Sequence, residues 1–417
     1  MSAFTKPTDL INQIFPDKVC INLDRRIERW RQMQDKFYQH GIHAVRRFVA
    51  VDGETSAIPA SWPGSPGAYG CLLSHLEVVR EARRLGLASI LIFEDDVVFD
   101  DQFEEKFAGY IRQLPADWDM LFFGALHKDE LLPVSDNIGR ITESNSTYAY
   151  ALRETVFDAF IELNSQGNEV LDVNSLVLQK QFNCYCFLPH LAWVEPAYSD
   201  AQQKQVHHWY LRESLVLFGP QVDRLLSETT IVFAYANNER SSRAAENLEC
   251  LLGYYDHYFS PFIEMVVVEQ GLEPTLDRET LPVNCDYVFI KDDSDFDPQL
   301  CFATGVKHAG ANRKYFILSN SDVYLETLDI RANLRMCERY DFVTGCDQVI
   351  DLSPAASEQL RHSRSICGLE ITANGSANSA SPCQFLNRRA VQMLESNGDQ
   401  QQLRTFHSPN FALRLTR

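Results

Sequence analysis

Ala88-Ser89-Ile90-Leu91-Ile92-Phe93-Glu94-Asp95-Asp96-Val97-Val98-Phe99 decides the fold class: an apolar run stops on three consecutive carboxylates and then resumes. The first half reads as a parallel strand buried on both faces. In an open α/β sheet the ligand crevice lies at the carboxyl ends of the strands, where Glu94, Asp95 and Asp96 would project. Like charges so close together raise one another's pKa unless a cation neutralises them, so the trio points to a divalent metal. Hard oxygen ligands suit Mg2+ or Mn2+ rather than zinc. The motif alone leaves a second reading open, an acid cluster at the first turn of a helix starting near Gln102.

Upstream, Val19-Cys20-Ile21-Asn22-Leu23 reads as a short buried strand, and Ile27, Trp30, Met33 and Phe37 then recur at helical spacing. The turn between them places Asn22, Asp24, Arg25 and Arg26 at a strand's carboxyl end, as ligand groups or as a solvated turn. Residues 46–51 read as a second strand ending in Asp52-Gly53, a turn signal first and a ligand signal second. A Pro/Gly/Ser loop lies between Pro59 and Pro66. Gly70-Cys71-Leu72-Leu73-Ser74-His75 then opens a helix that continues through Leu76, Val79 and Leu85, and its amino end could face a diphosphate. Alternatively Ser74 caps that helix and His75 is a surface or core histidine. Beyond the acids come a helix (Phe103, Phe107, Ile111, Leu114) and strands at 119–123 and 148–152, giving alternating β and α.

The chain has 417 residues, 45% hydrophobic and 23% charged, enough for two cored domains. A net charge of -19 argues against a nucleic-acid footprint and against polybasic docking on a membrane. Met1 to Phe15 lacks the uninterrupted apolar core of a secretory signal, and no stretch is apolar and long enough for a transmembrane segment. The 11 cysteines are scattered with no C-x-x-C pair, which fits reduced thiols in a cytoplasmic protein.

The ordered motifs resemble glycosyltransferase family 25, the lipooligosaccharide and procollagen galactosyltransferase group. They are Ile21-Asn22-Leu23-Asp24-Arg25-Arg26-Ile27-Glu28-Arg29, Ala50-Val51-Asp52-Gly53, Gly70 to His75, and Glu94-Asp95-Asp96. Thr147-Tyr148-Ala149-Tyr150 is similar to the family's T-x-A-Y segment, Leu171-Asp172-Val173 matches its P-V-D segment loosely, and Pro189 with Tyr198-Ser199-Asp200 matches its closing P…S-D. The resemblance covers residues 17–202. It implies a GT-A fold and inverting transfer of a hexose, galactose above all, from UDP-galactose or UDP-glucose to a glycan or lipid-linked acceptor. On that reading Glu94 and Asp96 hold Mn2+ or Mg2+. The donor is bound by Asn22, Arg25, Asp52, Gly53, Ser74, His75 and Asp95, and Asp172 is the catalytic base.

Residues 207–226 read as a connecting helix, and Thr230-Ile231-Val232-Phe233-Ala234-Tyr235 starts a second α/β series. The expected domains are therefore 1–226 and 227–417, two GT-A-like (Rossmann-like) α/β units in tandem. Helical spacing at Ala244, Leu248, Leu251 and Tyr255, and strands at 263–268 and 315–318 followed by Asn320-Ser321-Asp322, repeat the first plan. The second half resembles glycosyltransferase family 2 in a degenerate form. Asn320 replaces the first acid of D-x-D, and His407 and Ser408 stand where the family's catalytic acids belong, ahead of Phe411 and Arg414. Cys346, Cys367 and Cys383 read as small core residues. Two rival functions remain: a non-catalytic glycan- or partner-binding fold, and a two-metal phosphoesterase.

Overall fold

A computed structural model describes residues 9–202, 204–236, 243–310, 312–363, 375–376, 383–395, 403–409 and 411–415. The chain divides into two compact α/β units, Met1–Val216 and Leu217–Arg417.

The first unit opens with α1 (Leu10–Ile14), β1 (Lys18–Asn22), α2 (Ile27–Gln39), β2 (Val45–Val49), α3 (Pro66–Leu85), β3 (Ser89–Glu94), β4 (Val97–Phe99) and α4 (Phe103–Tyr110). It continues with β5 (Met120–Phe122), β6 (Leu126–His127), β7 (Leu132–Pro133), β8 (Ile138–Arg140), β9 (Ser144–Asn145) and β10 (Ala149–Arg153). Last come α5 (Glu154–Asn164), α6 (Leu171–Gln181), β11 (Cys184–Phe187), β12 (Ala192–Val194), β13 (Ala197–Ser199) and β14 (Lys204–Val206). The eight-stranded sheet runs β2-β1-β3-β10-β5-β11-β8-β7. β1 is parallel to β2 and β3, whereas β10 is antiparallel to both β3 and β5. Ile90, Leu91, Ile92 and Phe93 of β3 are at most 2% exposed, each contributing about 1.5–3 kcal/mol of burial. That explains why β3 lies inside the sheet.

Helix α3 starts earlier than the glycine pattern suggests. Ser65 is its N-cap, accepting from the Ala68 N–H, with Pro66 at the first turn, and Gly86 closes it in the left-handed region at φ 67°. Gly70 to His75 therefore lie inside the helix, and Ser74 caps nothing. The acids of 94–96 do not serve α4 either, because β4 intervenes; Asp100 accepts from the Gln102 N–H instead. The expected helix over 103–114 is α4 followed by a 3-10 turn, Ile111–Gln113.

In the second unit, α7 (Pro220–Ser227), β15 (Thr229–Tyr235), α8 (Ala244–Phe259), β16 (Glu264–Gly271), β17 (Cys285–Lys291), α9 (Pro298–His308), β18 (Tyr315–Asn320) and β19 (Val323–Tyr324) come first. Then follow α10 (Thr327–Met336), β20 (Phe342–Thr344), β21 (Gln348–Asp351), α11 (Pro354–Ser363), β22 (Gly375–Ser376), β23 (Cys383–Asn387), α12 (Arg388–Glu395), β24 (Thr405–His407) and β25 (Phe411–Arg414). Its seven-stranded sheet, β17-β16-β15-β18-β23-β20-β24, again sets one antiparallel strand (β23) beside a parallel run. In each unit a buried strand (β3 or β18) ends in a two-residue turn leading to a short strand (β4 or β19), so Asn320, Ser321 and Asp322 correspond to Glu94, Asp95 and Asp96.

No single helix connects the units. Within 207–226 there are a 3-10 turn, Trp209–Leu211, and α7, and the boundary falls ten residues before the expected one (226 against 216). The reason is that Leu217 onward packs with the second unit: the Arg331 guanidinium lies over the Phe218 and Phe259 rings and donates to the Leu217 carbonyl. Cys346 and Cys383 are buried, as expected of core thiols; Cys367 lies outside the described residues.

Candidate active site

The parallel register that pairs Ile21 with Glu94 brings the carboxyl ends of β1 and β3 to one edge. Glu94 closes β3, and Asp95 and Asp96 form the turn into β4. Asp95 is fully engaged: one carboxylate oxygen accepts from Asn22 Nδ2 at 2.6 Å and the other from Arg29 at 3.2 Å. Asn22 is itself 1% exposed, donating also to the Arg26 carbonyl and accepting from Arg47. It anchors Asp95 from behind and is not among the residues that line the cavity described below. Burial raises the Asp95 pKa, with Asn22 and Arg29 opposing the rise.

Asp96 differs. Its Oδ1 is buried without a hydrogen-bond partner among the described residues. Burial, then Glu94, then Asp95 push its carboxyl up to about 7. Glu94 Oε1 lies 3.4 Å from the Thr147 hydroxyl and 3.5 Å from His75 Nε2. An orphaned carboxylate oxygen beside a second carboxylate is a donor set that fits a hard divalent cation, and Asp96 and Glu94 are the residues that could hold one.

The donor-side candidates form a cross-braced wall. Arg25 pairs with both Asp52 and Asp200, the latter at 3.0 Å, and Arg26 reaches Asp200 at 3.6 Å. The Arg25 hydrogen bond holds the Asp52 carboxyl below its ordinary range, and Asp52 also accepts from the Glu54 N–H. Gly53 and Gly70 are pressed together: a Cβ on Gly70 would stand 2.5 Å from the Val51 oxygen and 2.7 Å from the Gly53 nitrogen. Ser74, wholly buried, locks the same junction by accepting from the Val51 N–H at 2.8 Å and donating to the Gly70 carbonyl at 2.6 Å. His75 is equally buried, with Nδ1 2.9 Å from the Tyr150 hydroxyl. Ser74 and His75 thus brace the site from within α3.

Two cavities meet at the acid turn. A smaller one, about 110 Å³, is lined by Arg25, Arg29, Asp52, Gly53, Ser74 and Asp95 among others. A larger one, about 270 Å³, is lined by Tyr148, Leu171, Asp172, Val194, His208 and Leu211 among others. Glu94 and Asp96 line both. Asp172 sits in the first turn of α6, whose N-cap is Val170, so it does not cap its own helix. Instead it accepts from the Ser146 N–H at 3.2 Å. Burial first and Glu94 second raise its carboxyl to about 6. Arg29, Thr147 and His208 also line the cavities; the first two belong to the I-N-L-D-R-R-x-x-R-like and T-x-A-Y-like segments, whereas no sequence motif marks His208.

Residues 15–131 match the sequence model of glycosyltransferase family 25 (LPS biosynthesis protein). That segment carries the family 25 signature. Procollagen galactosyltransferase 2 of Homo sapiens is 30% identical over 162 residues, 32% of this chain and 26% of the relative. Inactive glycosyltransferase 25 family member 3 of Homo sapiens is likewise 30% identical, over 174 residues, 36% of this chain and 29% of the relative. The chain therefore spans only about a quarter of the length of these curated relatives. A solved putative nucleotide-diphospho-sugar transferase from Desulfovibrio desulfuricans G20 aligns at 10% identity and a TM-score of 0.27, over 45% of this chain and 82% of that one. Among the described residues no helix is long and apolar enough to cross a membrane.

Proposed function

We propose that the first unit is a divalent-cation-dependent, inverting glycosyltransferase that moves a hexose, galactose foremost, from a UDP-sugar to a hydroxyl of a glycan or lipid-linked acceptor. The observation that carries this reading is the placement of Glu94 and Asp96 on the seam between two cavities, with an orphaned Asp96 oxygen. The family 25 match over residues 15–131 supports the reaction class. Mn2+ or Mg2+, held by Asp96 and Glu94, would supply charge stabilisation to the departing diphosphate. Arg25 and Arg29 line the smaller cavity and orient the nucleotide there; the Asp52 and Asp200 pairs keep Arg25 in place before a donor arrives. The larger cavity, with apolar Leu171, Val194 and Leu211 and the Tyr148 ring, takes the acceptor. Inversion is a single in-line displacement and needs one base on the acceptor side. Asp172 lines that cavity, and a carboxyl at about 6 is ionised at neutral pH yet basic enough to accept a hydroxyl proton.

The second unit, on this reading, is a degenerate family 2-like domain used for acceptor binding or assembly. Asn320 occupies the place of Glu94, and Ser408 is buried, its backbone N–H donating to the Thr344 hydroxyl.

A panel of nucleotide sugars titrated calorimetrically with and without Mn2+ tests the proposal. One UDP-hexose binding only with the cation, followed by UDP release on adding a glycan acceptor, is the expected result. Cation-independent binding, or phosphate release from simple phosphoesters, would replace it with one of the rival functions.

A further inference from the structure

We propose that His127, Cys186 and His190 form a second metal site in the first unit, for a d10 ion, Zn2+ or Cu+. The three come from separate segments: His127 ends β6, Cys186 lies in β11, and His190 follows that strand. Their exposures are 0%, 0% and 1%, and their candidate ligand atoms all lie within 4.8 Å of one another. Nothing in the proposed transfer reaction uses them.

The outer atoms of the rings are anchored on oxygen. His190 Nδ1 is 2.7 Å from the Leu211 carbonyl, which only accepts, so Nδ1 carries the proton and the Nε2 lone pair points inward. His127 Nδ1 is 2.8 Å from Ser144 Oγ, and the two Nε2 atoms face each other at 2.8 Å. Anchoring the far ring nitrogen on a carbonyl or hydroxyl is how metal-bound imidazoles are oriented. Burial pulls both histidines down, His190 to about 4, so both are neutral and able to ligate at physiological pH. Two neutral imidazoles and one thiolate make a neutral complex with Cu+ and a singly positive one with Zn2+, and soft or borderline d10 ions prefer this donor set. Two nitrogens bound tetrahedrally to Zn2+ stand about 3.3 Å apart, so the rings would open by about half an ångström on loading. On binding, the Cys186 thiol, which burial otherwise keeps protonated, releases its proton to solvent.

The alternative is a metal-free relay in which Ser144 donates to His127, and His127 Nε2–H donates to His190. It satisfies the rings and leaves the Cys186 thiol donating to the Phe187 carbonyl at 3.5 Å, so the two states differ in whether that sulfur keeps its proton.

The test uses the full chain. Metal analysis of protein purified without chelator, and of protein refolded with Zn2+ or Cu+, should give about one ion per chain that survives dialysis. The Cys186→Ser variant should lose that ion, and Co2+-loaded wild type should show a thiolate charge-transfer band that is absent from Cys186→Ser. Cys71→Ser should keep the band, which separates this site from the Cys71, His75 and Glu94 group that also converges within 4.8 Å. Should Cys186→Ser fail to fold, imidazole nitrogen NMR of the wild type decides. Both rings protonated at Nδ1 supports the metal; one ring protonated at each nitrogen overturns it, as does metal-free protein under both preparations. The thiolate band and the imidazole signals do not read the oxygen-lined Glu94 and Asp96 site, so their failure leaves the transferase proposal standing.

Discussion

Replacing Asp96 with Asn should stabilise the metal-free protein at neutral and higher pH while removing its response to Mn2+. Burial beside Glu94 and Asp95 raises the Asp96 carboxyl from 3.8 to about 7. The folded state therefore holds this proton more tightly than the unfolded chain. Below about pH 4 the group is protonated in both states and costs nothing; as pH rises toward 7 and beyond, ionisation is increasingly disfavoured in the folded state alone. Fully buried, the cost at high pH would be roughly 4 kcal/mol, and partial solvent access reduces it to roughly 2 kcal/mol. Asn keeps the shape and removes the charge. At pH 8 with chelator, the first unit of Asp96→Asn should melt about 4–8 °C above wild type, and the difference should vanish near pH 4. Adding Mn2+ should then raise the wild type and leave the variant unmoved. Differential scanning fluorimetry across pH, with chelator or Mn2+, reads all of this on two proteins. A variant less stable than wild type at pH 8, or one that still gains stability from Mn2+, would refute the assignment of Asp96 as the strained metal-holding carboxylate.

Asp172→Asn should abolish transfer while donor affinity in calorimetry stays nearly unchanged, because a base acts in the transition state; near-normal turnover would remove Asp172 from the mechanism. Asp322→Ala, in the second unit's equivalent turn, should leave transfer within a few-fold of wild type, and a silent enzyme in a sugar-transfer assay would mean the active unit has been misassigned. Gly70→Ala forces a methyl group to 2.5 Å from the Val51 oxygen. It should destabilise the first unit by about 1–3 kcal/mol in urea unfolding; an unchanged midpoint would show that the 50–53 segment is free to retreat from α3.

The strands that carry the site were legible because they are buried on both faces: β1, β3 and β15 are continuous apolar runs, and residue type alone locates them. Gly70 resembles a helix-opening residue, but the start of α3 is set by Ser65 followed by Pro66, a cap and a first-turn proline. Gly70 is there for close packing against Gly53. Among site residues, the acid turn announces itself by charge alone. The roles of Asn22 and Ser74 do not, because whether a polar side chain faces a ligand or the protein interior depends on partners such as Arg47 and Val51 that only the fold brings near. The boundary at 216 was hidden for a similar reason: it is set by Arg331 stacking on Phe218.

The clasp of Asp200 on Arg25 spans 175 positions of sequence, and the Arg29 bond to the Tyr198 carbonyl spans 169. Contacts of such range carry a larger loop-closure cost than nearer pairings. On a ribosome adding about 5–20 residues per second, the sheet strands β1, β2 and β3 exist for many seconds before residue 200 emerges. The acid turn and its arginines are thus synthesised well before the residues that clasp them. Any fragment that ends before residue 200 has the carboxylates but neither the closing strap nor the His208 and Leu211 side of the larger cavity, so expression of a minimal first unit should extend through residue 216.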